Sequence, residues 1–277
     1  MLNKFFIEKH VKAALEEDIG FGDITTDYLT YEDDTMSCSL NSRVDGIFCG
    51  KSVFETVFSV LSDKIEITFY KNDGDILSKG DKIADIKGPA KYILMGERTA
   101  LNYIQRMSGI ATETNKYQKA IGEFKAKIVD TRKTTPLFRA FEKYAVKTGG
   151  GSLHRFNLSD CAMIKDNHIK YAGSLTKAVE KLRENISHAH KIEVECDTKE
   201  QVKEALNCNA DIIMLDNMDI ETMRECVKLI DGKAIVEASG NVNLQTVKEI
   251  ASTGVDIISS SARVAKAPTL DLGLDCD

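Results

Sequence analysis

The second half of the chain repeats one pattern, in which short apolar runs alternate with amphipathic helix patterns from residue 126 onward. The runs read AKIVDT, SLHRFN, CAMIKDN, KIEVEC, DIIMLDN, AIVEASG and VDIISSS. Fully buried parallel strands have near-continuous apolar sequences of this kind, and strands that alternate with helices form parallel β/α units. The pattern therefore predicts a β/α barrel or an open doubly wound sheet. Because no G-x-G-x-x-G motif follows an early strand, the dinucleotide-binding form of the open sheet loses its best support.

Residues 35–92 have a different character and predict an α+β unit dominated by antiparallel pairing. Short alternating strands are separated by Asp-Gly, Lys-Gly and Gly-Pro turns, and one helix-like stretch, KSVFETVFSVLS, interrupts them. Residues 96–121 then have helical spacing with a Ser-Gly break at 108–109. We divide the chain into an N-terminal domain with a leading helix, 1–108, and a C-terminal domain, 109–277, whose tail could pack back on the first.

Composition excludes several classes of function. The net charge is −6 with a pI near 5.5, which argues against a general nucleic-acid surface, since such surfaces neutralise many phosphates. No apolar run approaches the roughly 20 residues that span a bilayer, and the N-terminus lacks the apolar block of a signal peptide. We expect a cytoplasmic protein without a membrane segment. Its seven cysteines have no C-x-x-C spacing, and we expect reduced, mostly buried thiols.

Polar residues fall at or near the ends of all seven runs. The ionisable ones are Arg132, Lys133, His154, Arg155, Lys165, Glu195 and Asp216, and the last two runs end in Ser239-Gly240 and Ser260-Ser261. In a β/α barrel the C-terminal strand ends converge on one face, where several strands supply catalytic residues. Five cations predict a polyanionic substrate with groups held bidentately by arginine. The two carboxylates predict a developing positive charge or a divalent cation, for which Mg²⁺ is suited.

Six motifs together resemble the successive signatures of the quinolinate phosphoribosyltransferase family. They are ERTALNYIQRMSGIAT (97–112), DTRKTTP (130–136), GGGSLHRFNL (149–158), IKDNH (164–168), IEVEC (192–196) and IIMLDN (212–217), and the likeness extends from EDIGFGDITT (17–26) to APTLDLGLD (267–275). The resemblance implies an N-terminal α/β sandwich and an open, incomplete TIM-like α/β barrel of seven strands. It further implies a homodimer, or a higher oligomer, in which the N-terminal part of one subunit faces the barrel of the other.

The same resemblance implies a reaction. Quinolinate and phosphoribosyl pyrophosphate would give nicotinate mononucleotide, pyrophosphate and CO₂, with Mg²⁺ as the cofactor, on the route to NAD. By position, Arg98 matches the arginine that the family contributes across the dimer, and Arg132, His154 and Arg155 match residues around the pyridine dicarboxylate. The catalytic matches are Lys133 and Lys165, between that site and the pyrophosphate, and Glu195 and Asp216, near the ribose and the metal, which they would contact directly or through water.

The 5′-phosphate would bind to two turns, for which the resemblance implies the residues Ser239, Gly240, Asn241, Ser260, Ser261 and Ala262. Two of these depart from the family pattern, which has glycine where this chain has Asn241 and Ser261. Because asparagine tolerates positive φ better than other residues with a side chain, we expect Asn241 to keep its turn.

Three other interpretations stay open at this stage. One is a ModD-like homologue associated with molybdenum transport, which Lys165 in IKDNH disfavours. The second is an aldolase-type barrel with Lys165 as a Schiff-base nucleophile, which would require a lowered lysine pKa. The third is a homologue that only binds nucleotides or a partner, against which the retained carboxylates Glu195 and Asp216 count.

Overall fold

The computed structural model of the protein describes residues 2–261 and 266–276. Up to residue 121 the elements are α1 (Lys4–Ile19), α2 (Thr26–Leu29), β1 (Thr35–Ser42), β2 (Gly46–Ile47), α3 (Lys51–Leu61), β3 (Glu66–Phe69), β4 (Ile76–Leu77), β5 (Lys82–Pro89) and α4 (Ala90–Ile121). They continue with β6 (Lys127–Val129), α5 (Arg139–Thr148), β7 (Ala162–Ile164), α6 (Asp166–Ala172), α7 (Leu175–Asn185), β8 (Ile192–Cys196) and α8 (Lys199–Asn207). The last are β9 (Ile212–Asp216), α9 (Ile220–Ile230), β10 (Ile235–Ser239), α10 (Val247–Ser252), β11 (Ile257–Ser259) and β12 (Leu272–Cys276).

The chain forms two compact units that do not follow each other simply in sequence. The first unit consists of the described parts of Met1–Asn115, Pro136–Gly150 and Ala267–Asp277, and the second of Lys116–Thr135 and Gly151–Lys266. The predicted boundary at 108/109 lies within α4. In the described part of the chain, no helix is long and apolar enough to cross a membrane.

An antiparallel sheet in the order β12-β1-β5-β3 forms the centre of the first unit, and β2 and β4 pair separately. Cys38 of β1 lies directly opposite Cys276 of β12, and the two form a disulfide bond. The prediction that all cysteines are reduced is therefore wrong for this pair, because register across two strands 238 residues apart leaves no spacing signal in the sequence. Cys49, Cys196 and Cys226 are buried free thiols, as expected.

Helices of the first unit bury regular apolar stripes. In α1 the buried residues Ile7, Val11 and Leu15 are four apart, and the side chain of Asn3 caps the helix by accepting the Phe6 N–H at 2.8 Å. α3 buries two adjacent pairs one turn apart, which are Val53, Phe54, Val57 and Phe58. These helices pack against each other. The stripes explain why both segments are helical although each contains β-branched or aromatic residues.

The predicted break at Ser108-Gly109 does not occur, since α4 is one helix of 32 residues. Gly109 instead leaves room for the C-terminal segment, since an added Cβ would lie 1.9 Å from the Pro268 carbonyl oxygen. Arg106 binds the same segment by donating from Nη1 to the Ala267 carbonyl at 2.8 Å, and its Nη2 lies 3.1 Å from the buried Glu142 carboxylate. The glycine thus allows the C-terminal segment to approach the helix backbone.

The second unit contains a parallel sheet in the order β6-β11-β10-β9-β8-β7. Six of the seven apolar runs form these strands, and the second run, SLHRFN, contributes a single parallel bridge between Ser152 and Val129. The order places the first and last strands of the unit side by side, as in a β/α barrel. The predicted mixed α/β fold with a parallel sheet is confirmed, and closure of the sheet into an open barrel stays a prediction.

Candidate active site

A cavity of 420 Å³ lies at the carboxyl ends of the strands of the second unit. Its walls include all seven ionisable residues that the sequence analysis selected, namely Arg132, Lys133, His154, Arg155, Lys165, Glu195 and Asp216. The strands bring them together because each residue lies in or after one of the runs, and parallel strands end at the same edge. The structure thus assembles the predicted charged residues, while their roles stay predictions.

Lys165 forms an ion pair with Glu195 across this cavity, with Nζ against Oε2. The lysine caps the N-terminus of α6, where its backbone N–H donates to Nδ1 of His168 at 3.0 Å. His168, which follows the strand end closely in sequence, therefore fixes the turn that carries Lys165. The ion pair neutralises one of the two carboxylates from within the protein.

The His154 imidazole contacts two buried glutamates. Its Nε2 atom is 3.3 Å from Oε2 of Glu193 and 3.3 Å from Oε2 of Glu237, and both glutamates are almost inaccessible to solvent. Burial opposes a charge on the ring, but the two carboxylates outweigh it and raise the pKa of His154 to about 10. Burial, together with the charge of Glu237, raises the pKa of Glu193.

One hydrogen bond acts against protonation of His154, because the Arg155 backbone N–H donates to Nδ1 at 2.7 Å and needs its lone pair. The carboxylates have the stronger effect, since they carry full charges in a buried site, and we treat His154 as a cation. The donor atoms of His154, Glu193 and Glu237 lie within 4.8 Å of one another, as in a metal site. In either protonation state, however, Nε2 carries a proton toward the carboxylates, which leaves no lone pair there for a metal ion.

The backbone and guanidinium of the 154–155 segment are both anchored. The His154 backbone N–H donates to the buried carboxylate of Asp130 at 2.8 Å. Arg155 donates from Nη1 to the Cys161 carbonyl at 2.9 Å, and its Nη2 lies 3.2 Å from Sδ of Met163. These contacts hold the arginine at the edge of β7 and orient its remaining N–H groups.

A second cavity of 360 Å³ adjoins the turns after β10 and β11. Its lining includes Lys133, Asp216 and the predicted phosphate residues Ser239, Gly240, Asn241, Ser260 and Ser261. Gly240 and Asn241 have φ angles of 87° and 51°, so Asn241 adopts the left-handed conformation expected of it. Ala262, the remaining predicted phosphate residue, lies outside the described residues. Arg98 is exposed on α4 in the first unit.

Three residues of this region were not predicted from the sequence. Glu193 and Glu237 lie inside strands, two residues before Glu195 and Ser239, and alternate strand residues face the same side of a sheet. A carboxylate inside an otherwise apolar run was the available signal. Asn217, directly after Asp216, lines the second cavity, and its position gave no comparable signal.

Comparison with known proteins agrees with this geometry. The family models of the N-terminal and C-terminal domains of quinolinate phosphoribosyl transferase match residues 23–108 and 110–275. A probable nicotinate-nucleotide pyrophosphorylase (carboxylating) of Bacillus subtilis is 41% identical over 275 residues, which are 99% of this chain and 92% of the relative. Its Synechocystis counterpart is 42% identical over 271 residues, which are 97% of this chain and 92% of that protein.

Solved structures are equally similar. NadC from Streptococcus pyogenes has a TM-score of 0.96 at 38% identity and covers 99% of this chain and 97% of its own. The nicotinate-nucleotide pyrophosphorylase from Francisella tularensis has a TM-score of 0.95 at 38% identity, and the match covers 100% of this chain and 98% of that protein. Since both family models match and the relatives are similar over almost the whole length, the chain belongs to the quinolinate phosphoribosyltransferase family.

Proposed function

We propose that the protein transfers the phosphoribosyl group of phosphoribosyl pyrophosphate to quinolinate, with loss of CO₂, and so forms nicotinate mononucleotide on the route to NAD. The observation that carries the proposal is the convergence of five cationic side chains on one cavity of a chain with net charge −6. Such a concentration of positive charge matches substrates with two carboxylates and several phosphate groups. The relatives are named for this chemistry, and nothing in the comparisons supports the molybdenum-transport alternative.

The cations divide by position into two groups. Arg132, His154 and Arg155 would hold the two carboxylates of quinolinate, because a guanidinium fork fits a carboxylate bidentately. Lys133 lines both cavities and Lys165 lines the first, which suits contact with the pyrophosphate as it leaves. Lys165 would have to exchange its contact with Glu195 for one with the substrate. The energetic role of the lysines is neutralisation of charge that develops on the leaving group.

The phosphate of the ribose would bind at the second cavity. Positive φ at Gly240 and Asn241 turns the backbone after β10, and turns of this kind direct successive N–H groups toward an anion. Lys133 adds a charged donor on the same cavity. We propose Ser239, Gly240, Asn241, Ser260 and Ser261 as the residues of this phosphate site.

Magnesium fits the donors that are present. Glu195 and Asp216 line the same cavity, and Mg²⁺ binds in proteins through one or two carboxylates plus substrate phosphates. Lys165 already contacts Oε2 of Glu195, and Asn217 donates to Oδ2 of Asp216, so each carboxylate keeps one oxygen for a metal or a metal-bound water. When bound, the ion would neutralise part of the pyrophosphate charge.

The reaction then needs positioning and charge, without a covalent bond to the protein. The ring nitrogen of quinolinate forms the bond to the ribose carbon while the bond to pyrophosphate breaks, and Glu195 and Asp216 would stabilise the positive charge on the sugar. The ribosylated nitrogen is cationic, and its charge stabilises the carbanion that is left on the adjacent ring carbon when the carboxylate departs as CO₂. A proton from solvent then takes the vacated ring position.

We further propose a cytoplasmic homodimer in which Arg98 completes the site of the other subunit. An exposed apolar segment of the first unit supports an interface, and its residues are Phe21, Ile24, Tyr28, Leu29 and Tyr31. Such a segment would be costly to leave in water.

The decisive assay incubates the protein with quinolinate, phosphoribosyl pyrophosphate and Mg²⁺ and follows CO₂ and nicotinate mononucleotide. We expect turnover with quinolinate and little with nicotinate, which lacks one carboxylate. Arg132→Ala should raise the KM for quinolinate, whereas Lys248→Ala, at an exposed residue of α10 that lines neither cavity, should not. A folded protein that gives no turnover contradicts the proposal.

A mixing experiment tests the role of Arg98. If the site combines Arg98 of one subunit with Arg132 of the other, dimers of Arg98→Ala and Arg132→Ala chains contain one intact site. At a quinolinate concentration too low for either variant alone to turn over, random exchange of subunits should then restore about a quarter of the wild-type activity. Absence of restoration, with exchange verified by mass spectrometry, would contradict a shared site.

A further inference from the structure

Asn217 connects the end of β9 to the turn after β10. Its side-chain Nδ2 donates to Oδ2 of Asp216 at 2.8 Å, and its Oδ1 lies 3.4 Å from Nδ2 of Asn241. Its backbone N–H donates to the Ser239 carbonyl at 3.0 Å, one step beyond the last strand pair, Asp216 with Ser239. One residue thus contacts both a carboxylate of the first cavity and the turn of the second.

Gly240 packs directly on this asparagine. A Cβ at position 240 would lie 2.1 Å from Oδ1 of Asn217 and 3.0 Å from its backbone nitrogen. The glycine also has a φ of 87°, which a residue with a side chain rarely adopts. The turn therefore has its present shape only with glycine at 240 and the Asn217 side chain folded beneath it.

The backbone of Asn217 is itself strained. Its φ of 52° lies in the left-handed region, where asparagine is the most tolerated residue after glycine. The residue is exposed, so its hydrogen bonds contribute little to the stability of the fold. Strain on an exposed residue whose contacts all lead to cavity residues is typical of a functional position.

On the basis of the proposed function, we infer that Asn217 is a positioning residue that holds the Asp216 carboxylate and the 239–241 turn in one fixed arrangement. The two groups belong to different strands, and the phosphoribosyl substrate must contact both at once. Loss of the side chain frees the carboxylate and the turn to move independently. Binding of phosphoribosyl pyrophosphate becomes weaker. The cationic side chains proposed to bind quinolinate are anchored on other strands and keep their positions.

Three variants separate the side chain from the backbone strain. Asn217→Gly removes the side chain and suits the left-handed φ, so it should fold well, whereas Asn217→Ala removes the side chain and adds strain. Asn209→Ala is the matched control, because Asn209 is an exposed asparagine with a φ of 54° that lines neither cavity. Both alanine variants should lose similar thermal stability.

For Asn217→Gly we expect the KM for phosphoribosyl pyrophosphate to rise about tenfold, the loss expected for one or two hydrogen bonds. The KM for quinolinate should stay within about twofold, and Asn209→Ala should change neither constant. Binding of phosphoribosyl pyrophosphate itself, measured by calorimetry in the absence of quinolinate, should weaken in parallel with the KM in both Asn217 variants. Wild-type kinetics and wild-type binding of phosphoribosyl pyrophosphate in Asn217→Gly would overturn the inference.

A different result would refute the proposed function without refuting the role of Asn217. Wild-type protein that binds phosphoribosyl pyrophosphate but does not turn over quinolinate would contradict the proposed reaction, and binding of phosphoribosyl pyrophosphate by Asn217→Gly would still decide the role of Asn217. Equal weakening of phosphoribosyl pyrophosphate binding in Asn217→Ala and Asn209→Ala would assign the effect to backbone strain and overturn the inference.

Discussion

Gly109→Ala should destabilise the first unit although alanine favours a helix. Replacement of glycine by alanine inside a helix stabilises by about 1 kcal/mol in the absence of other effects. At position 109 the new Cβ would lie 1.9 Å from the Pro268 carbonyl oxygen, which is a backbone atom. The segment must retreat by about 1.5 Å to reach ordinary contact. Two hydrogen bonds resist that movement, from Arg106 to the Ala267 carbonyl and from the Leu270 N–H to the Gln105 carbonyl.

The magnitude follows from these opposing terms. Overpacking costs about 1–3 kcal/mol, and each hydrogen bond lost from the displaced segment costs about 0.5–1.5 kcal/mol. With the middle of each range, one or both hydrogen bonds lost, and about 1 kcal/mol subtracted for the gain in helix propensity, the free energy of unfolding should fall by about 2–3 kcal/mol. Gly96→Ala is the matched control in the same helix, because its nearest atoms belong to the Phe58 and Leu61 side chains, at 2.8 and 2.9 Å, and not to the backbone. Its change should stay within about 1 kcal/mol of zero.

Thermal unfolding followed by circular dichroism measures both variants. For a protein of this size, 1 kcal/mol corresponds to about 2–4 °C, so Gly109→Ala should lower Tm by about 4–12 °C and Gly96→Ala by less than about 4 °C. A Gly109→Ala variant as stable as the wild type, or a Gly96→Ala variant that is the less stable of the two, would contradict the predicted clash with the Pro268 carbonyl.

Further predictions concern the ionisable groups and thiols of the first unit and one thiol of the second. Hydrogen bonds, that from Ser39 foremost, lower the pKa of Asp85 from 3.8 to about 2, so its stabilisation is present above about pH 4 and is lost as pH falls through 2. Urea unfolding of Asp85→Asn should therefore show a deficit at pH 7 that disappears near pH 2. Reduction of the disulfide between Cys38 and Cys276, or its removal by Cys38→Ser, should lower the free energy of unfolding by about 2–4 kcal/mol, and addition of dithiothreitol should not further destabilise Cys38→Ser. Burial raises the pKa of the Cys49 thiol well above its ordinary value, so iodoacetamide followed by peptide mass analysis should label the partly exposed Cys208 long before Cys49 in the native protein.

The parallel sheet could be predicted because buried strands have a local signature. Six runs are continuous enough in Val, Ile, Ala and Met to identify a strand without knowledge of its neighbours. The run SLHRFN forms only one bridge, and its composition explains this, because His154 and Arg155 interrupt it and Leu153 and Phe156 are exposed. The charged residues at the strand ends could be placed for the same reason, since the edge at which parallel strands end is fixed by chain direction.

The missed features depend on contacts between distant parts of the chain. Glu193 and Glu237 form a cluster with His154 because β8 and β10 both direct them toward it, and the sequence does not show that these three side chains meet. The role of Gly109 depends on a segment more than 150 residues later, so a glycine that permits close approach was interpreted as a helix break. Long-range register likewise determines the disulfide.

The position of β12 has a consequence for the order in which the protein acquires its structure during synthesis. β1 pairs on one side with β5, made soon after it, and on the other with β12, whose Cys276 follows Cys38 by 238 residues. At a translation rate of about 5–20 residues per second, one edge of β1 stays unpaired for roughly 10 to 50 seconds. Throughout that interval the ribosome is producing the whole second unit. The nascent chain thus carries an open sheet edge, a site for pairing with other chains, until β12 emerges.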